Sequence, residues 1–269
     1  MTKDAQTITR ASLGKTEAAF ITGIGKKRFF SIDDARKLLG HDKGDPTKQF
    51  LEKLKEKGWI LRLRRGLYVA LPLGAGSGTN PQAHEFHIAM RLVEPAAIAY
   101  WTALNHYGMT EQLPRTVFVA TNHPVRRPPR KVLWFSFKVV SLRPHRYFGI
   151  VKDWIDDGVF QITDREKTIV DGLDLPEYVG GVGEIAKALK SSWKTLDQDK
   201  LFRYAVKMKN VAVVKRLGFL MESMKVGDAS ALREKVKLSK GFPSLDTSLP
   251  RKGVYNRRWG LLVNVKDVG

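Results

Sequence analysis

The chain has 269 residues, 43% of them hydrophobic, no cysteine and a formal net charge of +20. That length predicts two domains, and the lack of cysteine excludes disulfides, thiolate zinc sites and thiol nucleophiles. No run of eighteen apolar residues occurs, and Met1 to Lys15 lacks the apolar stretch of a secretory leader, so the expectation is a cytoplasmic protein with no membrane span.

In chain order, three helical signals come first. Glu17 to Gly25 is a short apolar segment; Ser31 to Leu39 opens with a serine cap and two aspartates and stops at Gly40; Asp45 to Lys57 opens Asp-Pro and stops at Gly58. In the third segment Phe50, Leu51 and Leu54 share one face with Thr47 beside them, while Lys48, Gln49, Glu52 and Lys55 point the other way. The stretch GWILRLRRGLYVAL (Gly58 to Leu71) follows, with the period of two expected of paired strands. We expect a hairpin with a three-residue loop, Arg64-Arg65-Gly66, whose glycine takes positive φ. Leu63 then pairs with Leu67, and Trp59, Leu61, Leu63, Leu67, Val69 and Leu71 share one face.

Three helices followed by a hairpin is the order of a winged helix-turn-helix, so residues 1–71 read as a DNA-binding domain. In that reading Lys48 and Gln49 lie nearest base edges, Thr47 and Lys43 lie at the backbone, and Lys55 lies on the same polar face. Arg62, Arg64 and Arg65 grip phosphates or probe the neighbouring minor groove. The alternative for this arginine cluster is a solvated basic loop.

Residues 72–83 (PLGAGSGTNPQA) read as an uncharged linker; they lack the lysine and spacing of a phosphate-binding loop. The rest, 84–269, mixes the two periodicities, giving an α+β chain overall. Helices are expected at His84 to Val93, Ala96 to Tyr107, Arg165 to Leu173, Val182 to Trp193, Gln198 to Met208, Val211 to Met224 and Ala229 to Leu238. Strands are expected at Thr116 to Ala120, Val132 to Val140, Val159 to Thr163 and Gly260 to Val265, with HPVRRPPRK (His123 to Lys131) as a loop.

Motifs with chemical potential are sparse in this region. HEFH (His84 to His87) has its histidines three apart instead of four, and no third ligand is evident. GVGEIA (Gly181 to Ala186) fits a dinucleotide fingerprint but follows DLPEYVG, which is no strand, so it reads as a loop entering a helix. DREKTIVDGLD (Asp164 to Asp174) could place Asp164, Asp171 and Asp174 together for a metal-dependent nuclease, yet Asp164 is well placed as a plain helix cap. The expectation is no catalytic residue, no metal and no cofactor.

Charge is local. Lys and Arg outnumber Asp and Glu by 16 to 8 in residues 1–71, by 8 to 0 in 122–152 and by 6 to 2 in 240–269, but only by 15 to 14 in 153–239. Such blocks point to anionic partners, nucleic acid first. Arg126, Arg127, Arg130 and Lys131 with Arg257 and Arg258 are candidates for an auxiliary nucleic-acid or partner surface; the alternative is that they serve solubility or face an acidic protein.

In order and wording, WILRLRRGLYVA, then AIAYWTALNHYGMTEQLPRTVFVAT (Ala97 to Thr121), ITDREKTIVDGLDLPEYVGGVGEI (Ile162 to Ile185) and RLGFLME (Arg216 to Glu222) resemble the AbiEi-type antitoxins. The resemblance spans most of the chain. It implies a transcriptional autorepressor of a toxin–antitoxin operon, binding its own operator DNA, with an AbiEii-type nucleotidyltransferase toxin as functional partner. It also implies that the second domain neutralises the toxin, with or without stable contact. The rival readings are an antitoxin that acts by direct toxin contact without DNA, and a metal-dependent nucleic-acid enzyme.

Overall fold

A computed structural model describes residues 10–25, 27, 29–42, 46–71, 73, 84–126, 130–156, 158–234 and 241–266. The chain is a mixed α+β protein of two compact units, Met1–Ile88 with Pro129–Ser136, and Ala89–Pro128 with Phe137–Gly269.

The first unit runs α1 (Lys15–Ile24), β1 (Phe29–Ser31), α2 (Ile32–Leu39), α3 (Pro46–Glu56), β2 (Ile60–Arg64) and β3 (Leu67–Ala70). Its strands form an antiparallel sheet in the order β1-β3-β2. The local signals act as expected: Ser31 accepts from the Asp34 amide at 3.0 Å while Asp34 accepts from the Ser31 amide at 2.8 Å, and Gly40 ends α2 at φ 65°. The core gathers Phe20, Ile21, Ile24, Phe30, Ala35, Leu51, Leu54, Ile60, Tyr68 and Ala70. Phe20 meets Phe30 and Phe50 edge-on, and Phe30 stacks on Tyr68 at 5.6 Å. The nearly buried Glu17 joins α1 to the end of α3 by accepting from Gly14 N at 2.8 Å and Lys57 Nζ at 2.6 Å.

The hairpin corrects our expectation. Arg64 pairs with Leu67, leaving a two-residue Arg65-Gly66 loop, and the register shifts between Arg62 and Arg64 so that Leu63 is a bulge. Gly66 does take positive φ, at 76°. The face packed on the helices is Ile60, Tyr68 and Ala70, not the set containing Leu61 and Val69. Val69 and Leu71 are nonetheless fully buried. Both faces are therefore covered, and alternation could not say which one meets the helices.

The second unit begins within α4 (Glu85–Leu92) and continues with β4 (Ala97–Ile98), α5 (Tyr100–His106) and β5 (Thr116–Thr121). β6 (Lys131–Val132) and the start of β7 (Phe135–Ser141), which pair with each other, belong to the first unit; the rest of β7 lies in the second, where β8 (Ile150–Ile155) and β9 (Gly158–Thr163) form a hairpin. Helices α6 (Arg165–Asp174), α7 (Val182–Ser192), α8 (Gln198–Lys207), α9 (Val211–Met224) and α10 (Ala229–Glu234) follow, then the ribbon of β10 (Val254–Asn256) and β11 (Leu261–Val263). The sheet runs in the order β7-β5-β4-β9-β8, with β4 antiparallel to β5 and parallel to β9. Its core centres on α6, which is buried from Glu166 to Asp174.

Two elements differ from the sequence reading. The helix expected over Ala96 to Tyr107 starts only at Tyr100, because Ala97 and Ile98 are taken into the sheet and Tyr100 itself has φ 55°. The strand expected over Val132 to Val140 is broken by a turn at Leu133 (φ 57°) and Trp134. Strands β1, β4, β8 and β10 were not foreseen. The linker 72–83, apart from Leu73, and the end of the last expected helix, 235–238, lie outside the described residues.

Candidate nucleic-acid interface

Helix α3 turns its apolar side, Leu51 and Leu54, into the core and so leaves Lys48 and Gln49 on the exposed side of its first turn. Thr47 corrects the expected backbone contact. It is fully buried, and its hydroxyl lies 3.0 Å from His41 Nδ1, so it packs the helix start and offers nothing to a phosphate. Lys43 lies outside the described residues.

At the other end of α3 the charges partly cancel. Glu52 pairs with Lys55 and stands 3.8 Å from Arg62 on β2. Sequence spacing missed this role of Glu52, although its position one turn before Lys55 was the signal that could have revealed it. Arg64 and Arg65 sit exposed at the hairpin tip. That tip is fastened to the start of α2, since Ile32 N donates to Gly66 O at 3.1 Å. The structure thus offers a helix start carrying Lys48 and Gln49 and a hairpin carrying Arg64 and Arg65, with no acidic residue between Gly58 and Leu71.

The auxiliary candidates divide between the units. Arg130 and Lys131 are exposed in the first; Arg126, Arg257 and Arg258 are exposed in the second, and Arg127 lies outside the described residues. Arg258 is partly neutralised, with Nε 2.6 Å from Glu222.

The acidic segment has a structural use at each position. Asp164 caps α6 by accepting from Lys167 N at 2.8 Å, as its place before the helix predicted, and also accepts from Tyr204 Oη at 3.1 Å. Lys200 spans Asp164 and Glu166 at 3.1 and 2.9 Å. Asp171 forms a buried pair with Lys167; burial pushes its carboxyl up to about 6 despite that cation. Asp174 accepts from Arg146 at 2.9 Å and from Asn210 at 2.6 Å. Arg216, 2% exposed, donates to the carbonyls of Leu173, Asp174 and Ser244 and so satisfies the end of α6.

Among the described residues no group of three His, Cys, Asp or Glu side chains could hold a metal ion. GVGEIA follows a 3₁₀ turn at Pro176–Tyr178 and enters α7, whose first amide, Val182 N, donates to Asp246 at 2.7 Å. A fold-borne carboxylate therefore sits where a dinucleotide phosphate would need to be. No helix among the described residues is long and apolar enough to cross a membrane.

These features define an α+β protein of two units, the first presenting a basic helix-and-hairpin surface. The fold is similar to that in the crystal structure of the RV2827C protein from Mycobacterium tuberculosis, with a TM-score of 0.70 over 96% of this chain and 94% of that one, at 14% sequence identity. No protein-family model and no curated protein matches the chain in sequence.

Proposed function

We propose that the protein is a sequence-specific DNA-binding repressor that also serves as the antitoxin of a toxin–antitoxin pair. Its first unit is read as a winged helix-turn-helix, with α2 and α3 as the helix pair and β2–β3 as the wing. The observation that carries this reading is the pairing of an exposed Lys48 and Gln49 at the start of α3 with an exposed Arg64 and Arg65 on a hairpin devoid of acids. Base edges are met by the helix start and phosphates by the wing. The resemblance to AbiEi-type antitoxins supplies the rest: the operator is the protein's own, and the counterpart is an AbiEii-type nucleotidyltransferase toxin.

Fluorescence anisotropy against the protein's own promoter and a shuffled duplex, at two salt concentrations, tests the reading. Tight binding to the promoter alone is expected. The Arg64→Ala/Arg65→Ala variant should weaken binding to all duplexes and lower the salt slope by about 1.8 if both arginines touch phosphate. Equal, weak binding to both duplexes, unmoved by the substitutions, would overturn it.

A second reading, neutralisation by direct contact with the toxin, is favoured by one observation. β8 is an outer strand of its sheet and exposes Trp154 by 68%, next to the 42% exposed Val159 paired with it. Co-purification of a stable complex, lost in Trp154→Ser, would support it; a complex unaffected by that change would not.

A further inference from the structure

The ribbon β10–β11 holds an exposed aromatic side chain on a fixed mount. Tyr255 is 61% exposed, and its ring meets that of Phe242 edge-on at 5.1 Å. The mount is built into the core: Trp259 is fully buried against Gly218 of α9, where a Cβ would come within 2.0 Å of the indole. Trp259 Nε1 and Arg258 Nε both donate to Glu222, at 2.8 and 2.6 Å. The segment bearing Phe242 is tied to β11 through Leu262 N to Pro243 O at 3.0 Å and Leu245 N to Leu262 O at 2.8 Å.

Cations flank the ring on both sides in sequence. Arg251, Lys252 and Arg257 are exposed, Arg251 donates to Phe242 O at 3.2 Å, and residues 247–266 contain no Asp or Glu. An exposed ring on a fixed mount, in a stretch of chain that carries exposed cations and no Asp or Glu, matches an anionic ligand that also carries flat, apolar faces. In a duplex those faces are covered by neighbouring bases, and only edges and phosphates remain accessible. We propose that Tyr255, backed by Phe242, is a stacking platform for an unpaired base, and that Arg251, Lys252 and Arg257 hold the adjoining phosphates of a single-stranded nucleic acid. The site is separate in sequence from the helix-and-hairpin surface of the first unit, and either assignment can fail without the other.

The test uses the full-length protein and a short labelled oligothymidylate, read by anisotropy. Tyr255→Ala should weaken binding by about 5- to 150-fold, the range for loss of one base–aromatic stack, while Tyr255→Phe retains it. Arg251→Ser/Lys252→Ser/Arg257→Ser should lower the salt slope by about 2 if all three touch phosphate. The Arg64→Ala/Arg65→Ala variant should keep single-strand binding, which separates this site from the proposed wing. Wild-type affinity in Tyr255→Ala overturns the platform, including the case where only the triple variant loses binding. Displacement by polyglutamate as effective as by unlabelled oligonucleotide, with no effect of Tyr255→Ala, would assign the surface to an acidic protein and overturn it as well.

Discussion

Thr47 and Gln49 stand two positions apart on α3, and the helical period sends one into the core and the other to solvent. If Gln49 reads a base edge, Gln49→Ala should relax discrimination among single-base operator variants by about 1–3 kcal/mol at the position it reads. Unchanged preference among those variants would remove Gln49 from recognition. Glu17 illustrates a different consequence of position. Hydrogen bonds from Lys57 and Gly14 hold its carboxyl below the ordinary glutamate range. Because the folded-state pKa is lowered, its stabilisation is present above the ordinary value of 4.5 and is lost as pH falls through the folded value. Glu17→Gln should cost about 1 kcal/mol at neutral pH and flatten the acid limb of a melting-temperature profile; an unaltered profile would contradict this.

At the scale of elements, the β2–β3 hairpin shows how a pattern can be read correctly as paired strands yet misjudged in register. Trp59, Ile60 and Leu61 are consecutive apolar residues, so either parity fits an apolar face, and the bulge at Leu63 is decided by what the sheet packs against. The short strands β1 and β4 were illegible for a related reason: three and two residues are too few to show a period. α9, by contrast, was legible end to end, from Val211 to Met224, and the structure adds its cap, Asn210, whose side chain accepts from Ala212 N. Its close packing yields a prediction. Gly218→Ala would drive a methyl into the buried Trp259 ring, a stiff group with nowhere to move, and should destabilise the protein by about 1–3 kcal/mol even though alanine is the better helix former. Thermal melting checks it, and a raised melting temperature would show that the ring can shift.

For the whole molecule, the division into two units gives the first its own buried apolar cluster, from Phe20 to Ala70. A fragment ending at Leu71 should therefore unfold cooperatively by circular dichroism; a featureless, sloping melt would refute this independence. The basic blocks legible in the sequence are thinned by folding. In 122–152, with eight cations and no acid, Arg146 is taken by Asp174 and Lys138 lies 5.3 Å over the Tyr178 ring. The amino-acid sequence by itself determined the α+β class, the α2 cap, most helices and the concentration of charge, because these follow from local periodicity, capping and counting. Tertiary structure decided the burial of Thr47, the engagement of Asp164, Asp171 and Asp174 within the fold and the exposure of Tyr255. The setting of Asp174 depends on Asn210 and that of Tyr255 on Phe242, partners distant in the chain that no local pattern records.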